Sequence, residues 1–437
     1  MKTGKIFTVV GGLWGSCSKG QLIEYLAKRK LMDACVRTGS INAGHVVVFE
    51  GKKYTMQSVP GGWVGGKQIK LIIGAGAYLE AALLNQEIGM IYKALTGHDM
   101  EEDSRILEAF ELYIDPKAGL HTDKHQEAEV GLHQRMGSTG KGCMAAMVDK
   151  MARRNEYQNF GETQFAKRWD GIRFKLVDTC KMINDLYDEG KTVVLEGTQG
   201  AHLDLIHGDY PYVTSRPTNA AAWLAEAGVA PTVKNEVAMV VRTMPIRVAG
   251  NSGPLPQEVS WADVARQTDP ERKLISEDEL QEFELMEGSV LVDWQMPADI
   301  YTYNPVVRLR YAKELSALHG EVFKRLGDRK TAVLKKVFEL TTVTKKMRRI
   351  GRLDMETLKK SARLNRPTFV HLSFLNYLWP EVLGLNSWEK IKAALTPEKY
   401  AGMLAFFNEV ELACGCPIRY TGTSAFNVVA VPAKNKR

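Results

Sequence analysis

Residues 5–21 read KIFTVVGGLWGSCSKGQ, and the fold turns on them. Ile6-Phe7-Thr8-Val9-Val10 is a β-branched and aromatic run of strand length that stops at Gly11 and Gly12. After Gly15 and the triplet Ser16-Cys17-Ser18 comes Lys19-Gly20, where Leu22, Ile23, Tyr25 and Leu26 begin a helical pattern. The stretch therefore reads as strand, glycine-rich turn, helix. Such a junction aims backbone N–H groups and the positive end of a helix dipole at one place, and Lys19 adds a full charge. It suits a phosphate. The usual nucleotide loop has Gly before its Lys and Ser or Thr after it, whereas here Ser18 precedes and Gly20 follows, so that pattern fails as written. On residues alone, a tight strand-to-helix turn with no ligand is the competing reading.

The chain has 437 residues, 45% hydrophobic and 25% charged, which is ordinary globular composition with material for a large core. A net charge of +7 without a basic block argues for anionic small molecules at least as well as for nucleic acid. Met1-Lys2-Thr3 runs into the first strand with no apolar signal region, and no stretch approaches the roughly 18 apolar residues of a membrane span. The expectation is a soluble cytoplasmic protein with no membrane or nucleic-acid partner. Six scattered cysteines without a CxxC framework or a His cluster read as reduced thiols and no zinc site.

Further strands are expected at Val46–Phe49, Ile69–Ile73, Leu112–Asp115, Thr192–Glu196, Val237–Val241, Ile246–Val248, Thr368–Leu375, Pro417–Tyr420 and Asn427–Val431. Pro60 to Gly66 reads as a glycine-rich turn, and helices are expected over Tyr78–Leu95, after Thr122, and after Gly142 up to Arg153-Arg154. His45 stands where a loop enters a strand, so a rigid element can aim its ring. Gly137 to Gly142 is a second cluster of glycine, hydroxyl and cation that resembles an anion-binding turn or a flexible linker. Ala201 to Asn219 is dense in polar side chains after a buried strand, as a binding wall at the carboxyl end of a sheet would be. The run from 260 to 340 turns charged and helix-forming and reads as a helical insertion or subdomain. Lys345, Lys346, Arg348 and Arg349 then form a basic loop that suits a carboxylate or phosphate clamp or, without interleaved aromatics, a nucleic-acid patch. The expected architecture is one α/β domain over 1–437, a mostly parallel central sheet with helices on both faces, P-loop-like at its nucleotide end, with helical excursions.

Taken in order, these pieces resemble the adenylosuccinate synthetases. The resemblance rests on GLWGSCSKG at 12–20, NAGH at 42–45, STGKG at 138–142, DKMARR at 149–154, EGTQG at 196–200, HGDYPYVTS at 207–215, VAGNSGPLPQE at 248–258, TVTKKMRRIG at 342–351 and YTGTS at 420–424. That family phosphorylates O6 of a 6-oxopurine nucleotide with a nucleoside triphosphate, and the amino group of aspartate then displaces the phosphate. The resemblance implies that Gly15, Cys17, Ser18, Lys19 and Gly20 hold the donor phosphates, that His45 donates to the transferred phosphoryl, and that Gly44 carbonyl and Ser16 face Mg²⁺. It implies Asn42, Ala43, Thr139, Gln199 and Thr214 for the purine nucleotide, with Arg153 reaching its phosphate from the partner of a homodimer. Val343, Thr344 and Arg348 would grip L-aspartate. Lys346 stands where the family commonly has an Arg near the nucleotide sugar, and Gly422 and Thr423 fall beside the donor base.

Two departures refine the expectation. The family carries Asp and Glu after WG in its first loop; here these are Ser16 and Cys17, and a serine hydroxyl is not a base at neutral pH without activation. Ser is also smaller, leaving room for an exocyclic 2-amino group, so Ser16 points to guanylate rather than inosinate. The family reads the guanine of GTP with Asp where this chain has Asn376, and an amide, offering donor and acceptor, complements adenine. Together these resemble the viral branch that joins dGMP to aspartate for diaminopurine DNA, with ATP or dATP as donor. A conventional enzyme acting on IMP, an enzyme joining a different amino acid to a purine, and a catalytically silent nucleotide-binding regulator remain open alternatives.

Overall fold

The structure is a computed structural model. It describes residues 3–102, 104–129, 140–154, 157–248, 252–268, 276, 339 and 348–433. The run that opens the sequence is the central strand, β1 (Lys5–Gly11). Nine more strands join it: β2 (Ala34–Arg37), β3 (Lys70–Ile73), β4 (Leu112–Ile114), β5 (Lys175–Leu176), β6 (Thr192–Glu196), β7 (Asn235–Arg242), β8 (Phe369–Ser373), β9 (Ile418–Gly422) and β10 (Val428–Ala430). The spatial order is β10-β9-β8-β7-β1-β6-β2-β3-β4-β5. Every neighbouring pair is parallel except β9 with β10.

The alternation in β1 explains the layers. Phe7 and Val9 pack into one cluster with Leu22, Ile23 and Leu26 of the helix Lys19–Lys28. On the other face Ile6 meets Ile183 and Leu186 of the helix Thr179–Asp188, and Val10 meets Leu358, Phe407 and Val410 of two later helices. A strand apolar on both faces needs cover on both sides, which is the parallel-sheet solution. Register then lines up the strand ends: Val9 lies opposite Glu196 of β6, and Gly11 opposite Val240 of β7. The loops leaving these strands emerge side by side.

Most expected elements appear within a residue or two, with informative differences. Tyr78–Leu79 is not the start of a helix but a short strand paired with Gly119–Leu120; the helix begins at Ala81. Gly119 permits that pairing, because a Cβ there would fall 2.3 Å from the Tyr78 ring. The turn from Pro60 holds a 3-10 helix, Gly61–Gly65. The helix after Gly142 stops at Met151, and Arg153 turns away in the left-handed region (φ 52°). β8 ends at Ser373, and Asn376 rides on a following 3-10 turn, Leu375–Tyr377, entered through Phe374 at φ 61°. Of the expected 260–340 insertion only Ser260, the helix Trp261–Thr268, Ser276 and Glu339 are described. Among the described residues no helix is long and apolar enough to cross a membrane.

Candidate active site

The carboxyl ends of β1, β2, β6, β7, β8 and β9 meet around the first loop, where an open parallel sheet collects its ligands. Ser16 (φ 48°) and Ser18 (φ 66°) both adopt left-handed backbone, which curls the loop into the start of the helix at Lys19. Ser18 makes no side-chain cap, so the first N–H groups of that helix are left to a ligand or water. Lys19 is 3% exposed; its Nζ donates to the Gln199 carbonyl at 2.5 Å and lies 3.8 Å from Cys17 Sγ. The ammonium is thereby folded back over the loop. Gly20 brings in the next piece: a Cβ there would sit 2.4 Å from the Val46 carbonyl, so only glycine lets the strand His45–Phe49 lie this close.

His45 opens that strand. Its Nδ1 is 2.5 Å from Glu196 Oε1 and 3.2 Å from Arg37 Nη1, and Arg37 Nη1 donates to the same carboxylate oxygen at 3.1 Å. Gly61 N–H donates to Glu196 Oε2 at 2.7 Å, and Arg37 also donates to the Ala43 carbonyl. Arg37 and Glu196 side chains are fully buried. Burial and the Arg37 charge push His45 down to about 4 against the pull of Glu196. Burial works to raise Glu196, but the His45 hydrogen bond, with the charges of His45 and Arg37, outweighs it and leaves the carboxyl at about 2. The permanent guanidinium accounts for the ionised Glu196, so the ring is neutral at pH 7. Nδ1–H then points at the carboxylate, which leaves Nε2 for a ligand.

The remaining expected residues are placed as follows. Gln199 (φ 61°) is partly buried after β6, its carbonyl on Lys19. Asn42, Ala43 and Gly44 lie in the turn before His45, and the Asn42 N–H faces the buried Cys143 thiol. Thr214 is partly buried, its N–H on the Leu203 carbonyl at 2.8 Å. Asn376 Oδ1 is buried with no hydrogen-bond partner among the described residues. Gly422 closes β9, and the buried Thr423 hydroxyl donates to the Leu385 carbonyl at 2.6 Å. Arg153 is exposed. Arg348 Nη1 is 3.2 Å from Glu339 Oε2. Thr139, Val343, Thr344 and Lys346 lie outside the described residues.

Sequence reading missed Arg37, Glu196 and Arg242 as parts of the site. Each is the charged residue that closes an apolar run at the carboxyl end of its strand, ACVR, TVVLE and NEVAMVVR. A charge at the carboxyl end of a buried parallel strand costs desolvation unless a partner or ligand meets it there, and that was the signal available. A fourth anchor is Trp14, whose indole donates to Asp209 at 2.6 Å, where Arg247 and His202 also converge.

Comparison with known proteins gives the family. The family described as adenylosuccinate synthetase matches residues 8–159 and 158–394. The adenylosuccinate synthetase of Methanococcus aeolicus is 30% identical over 419 residues, 95% of each chain. The chain belongs to the adenylosuccinate synthetase family. It is thus a carbon–nitrogen ligase of purine biosynthesis that binds nucleotides. The Thermococcus onnurineus enzyme is 29% identical over 94% of each chain. Two solved structures share the α/β fold with a mostly parallel sheet. One is cyanophage S-2L succinoaminodeoxyadenylate synthetase bound to dGMP and dATP, with TM-score 0.66, 22% identity, and 99% of this chain and 96% of that one covered. The other is fully ligated adenylosuccinate synthetase from Plasmodium falciparum, with TM-score 0.66, 18% identity, and 98% and 100% covered.

Proposed function

We propose that this member joins L-aspartate to C6 of dGMP, using ATP or dATP, to give N6-succino-2-amino-2′-deoxyadenylate for diaminopurine DNA. The observation that carries the reading is Ser16, a short hydroxyl on a left-handed corner of the phosphate loop, where by the resemblance the family's first-loop motif has an acid. The partnerless Oδ1 of Asn376 supports an adenine donor, since adenine N6–H can satisfy it while the amide N–H reaches N1. The cyanophage enzyme with the same fold holds this pair of nucleotides.

In the first step the guanylate gives up its N1 proton to water as O6 attacks the γ-phosphorus and the nucleoside diphosphate leaves. In the second the aspartate amino group attacks C6, phosphate leaves, and the nitrogen loses a proton to solvent. Lys19 and the helix N-terminus at Gly20 hold the transferred phosphoryl group, with Gly15, Cys17 and Ser18 shaping the loop around it. His45, oriented by Glu196 and Arg37, presents Nε2 to that group; the incoming negative charge favours a proton there, so the ring donates as charge builds. Asn42, Ala43, Thr139, Gln199 and Thr214 hold the purine nucleotide, Lys346 lies near its sugar, and Arg153 reaches its phosphate from the partner in a homodimer. Gly422 and Thr423 flank the donor base, and Val343, Thr344 and Arg348 hold aspartate. Ser16 Oγ and Gly44 carbonyl are hard neutral oxygens that fit a Mg²⁺ carried in by the nucleotide phosphates, and among the described residues no cluster of three acidic, His or Cys side chains offers a dedicated metal cage. Bound there, Mg²⁺ would screen the phosphate charge.

The conventional reaction on IMP with GTP is the second reading, favoured by the names of the archaeal relatives. Purified protein with Mg²⁺ and aspartate, offered dGMP or IMP, each with ATP, dATP or GTP, separates the two. Product from dGMP with an adenine nucleotide is expected; product only from IMP with GTP overturns the proposal.

A further inference from the structure

Arg242 ends β7 with its side chain 1% exposed, and every nitrogen of its guanidinium is engaged with a different segment. Nε donates to the Met244 carbonyl at 2.8 Å and Nη1 to the Ser16 carbonyl at 3.3 Å. Nη2 is paired with the Glu339 carboxylate. The guanidinium plane lies 3.8 Å from the centroid of the Phe374 ring and 5.2 Å from that of Tyr377, the two aromatics that bracket Asn376. Glu339 in turn accepts from the Tyr377 hydroxyl at 2.5 Å and from Arg348 Nη1 at 3.2 Å, and its carbonyl accepts from the Arg348 N–H at 2.9 Å. A parallel tether runs beside it, Ser373 Oγ donating to the Cys17 carbonyl at 3.0 Å.

We propose that Arg242 is a positioning residue that couples occupancy of the donor-base segment 374–377 to the conformation of the Ser16 loop and, through Glu339, to Arg348. The inference rests on the proposed assignment of those three segments to donor base, purine nucleotide and aspartate. A guanidinium is a rigid fork, so a displacement of the Phe374 ring on which it stacks is passed to the hydrogen bonds at its other ends. Ser16 is the receiving end that matters. Its left-handed backbone has the Arg242 bond on its carbonyl, and the direction of its Oγ follows that backbone. Glu339 stays ionised under the charges of Arg242 and Arg348, which outweigh its burial, so the link is held by full charges at both ends. Coupling of this kind is reciprocal: a donor nucleotide that settles the 374–377 segment tightens the purine nucleotide by the same factor as the converse.

The test is calorimetric binding of dGMP with and without a non-hydrolysable ATP analogue, in the native protein and in Arg242→Lys, Arg242→Met, Glu339→Gln and Tyr377→Phe. Should the native chain turn over IMP with GTP instead, IMP and a non-hydrolysable GTP analogue replace them, so the coupling is tested independently of substrate choice. The native protein is expected to bind the purine nucleotide about fivefold or more tightly in the presence of the donor analogue. Arg242→Met abolishes that ratio, and Arg242→Lys, a single point charge without the planar fork, restores only part of it. Glu339→Gln and Tyr377→Phe raise the KM for aspartate more than they lower kcat. Tyr377→Phe removes one hydroxyl and keeps the core packing, so it reads the coupling even if Arg242→Met does not fold. An unchanged ratio in folded Arg242→Met, or an unchanged ratio and aspartate KM in Tyr377→Phe, overturns the proposal.

Discussion

Asn376 presents a buried oxygen with nothing to accept from among the described residues, and such a group costs about 1–3 kcal/mol unless a ligand completes it. Asn376→Asp replaces that donor–acceptor amide by a pure acceptor, which suits the N1–H and 2-amino group of guanine. The variant is expected to shift the ratio of kcat/KM for ATP over GTP by about tenfold to hundredfold toward GTP, read by steady-state kinetics with each donor. An unshifted ratio would remove Asn376 from base recognition. Glu196 makes a different prediction. Its carboxylate lies between Arg37 and His45 with no exposure, so truncation leaves a buried guanidinium without its counter-charge. Glu196→Ala should cost about 3–5 kcal/mol of stability, measured by denaturant unfolding, and Glu196→Gln, which keeps the packing, should cost less while still misorienting His45 and lowering kcat.

Among the elements, the junction of β1, its loop and the helix Lys19–Lys28 was fully legible, because a strand and a helix differ in period and the glycines between them mark a turn. The strands β6, β7 and β8 were legible for the same reason, as apolar runs, whereas the four-residue β2 was too short to be singled out. What the sequence concealed was contact between distant elements. Nothing in NAGH says that the strand after it lies against Gly20, nor that Glu196, 151 residues on, accepts a hydrogen bond from His45 Nδ1–H; both depend on how distant segments fold together around β1 and β6. Tyr78–Leu79 read as helix because it borders a helical run, and only its pairing with Gly119–Leu120 makes it a strand. Gly20→Ala tests that packing. It should lower the thermal midpoint and kcat together, since the added methyl meets backbone rather than a yielding side chain.

For the molecule as a whole, acid stability follows from its buried histidines. His121 and His371, 3% and 0% exposed, are both pushed from 6.5 down to about 3, His121 by burial and the charges of His125, Arg216 and Lys141, His371 by burial. The unfolded chain protonates them below pH 6.5 and the folded chain does not, so their contribution is complete above 6.5 and is lost progressively as pH falls toward 3. Each steepens the acid limb of a stability-versus-pH curve by up to about 1.4 kcal/mol per pH unit, and His121→Phe should flatten it by that amount. The sheet, its layers and the family were readable in the sequence, whereas the choice of purine rests on one side chain in the first loop. That choice is tested most directly by the ratio of kcat/KM for dGMP over IMP, measured with ATP in the native chain and in Ser16→Asp. The account predicts a ratio well above one in the native chain that falls by about tenfold or more when the acid is restored. A native ratio below one, or a ratio that Ser16→Asp leaves unchanged, would contradict it.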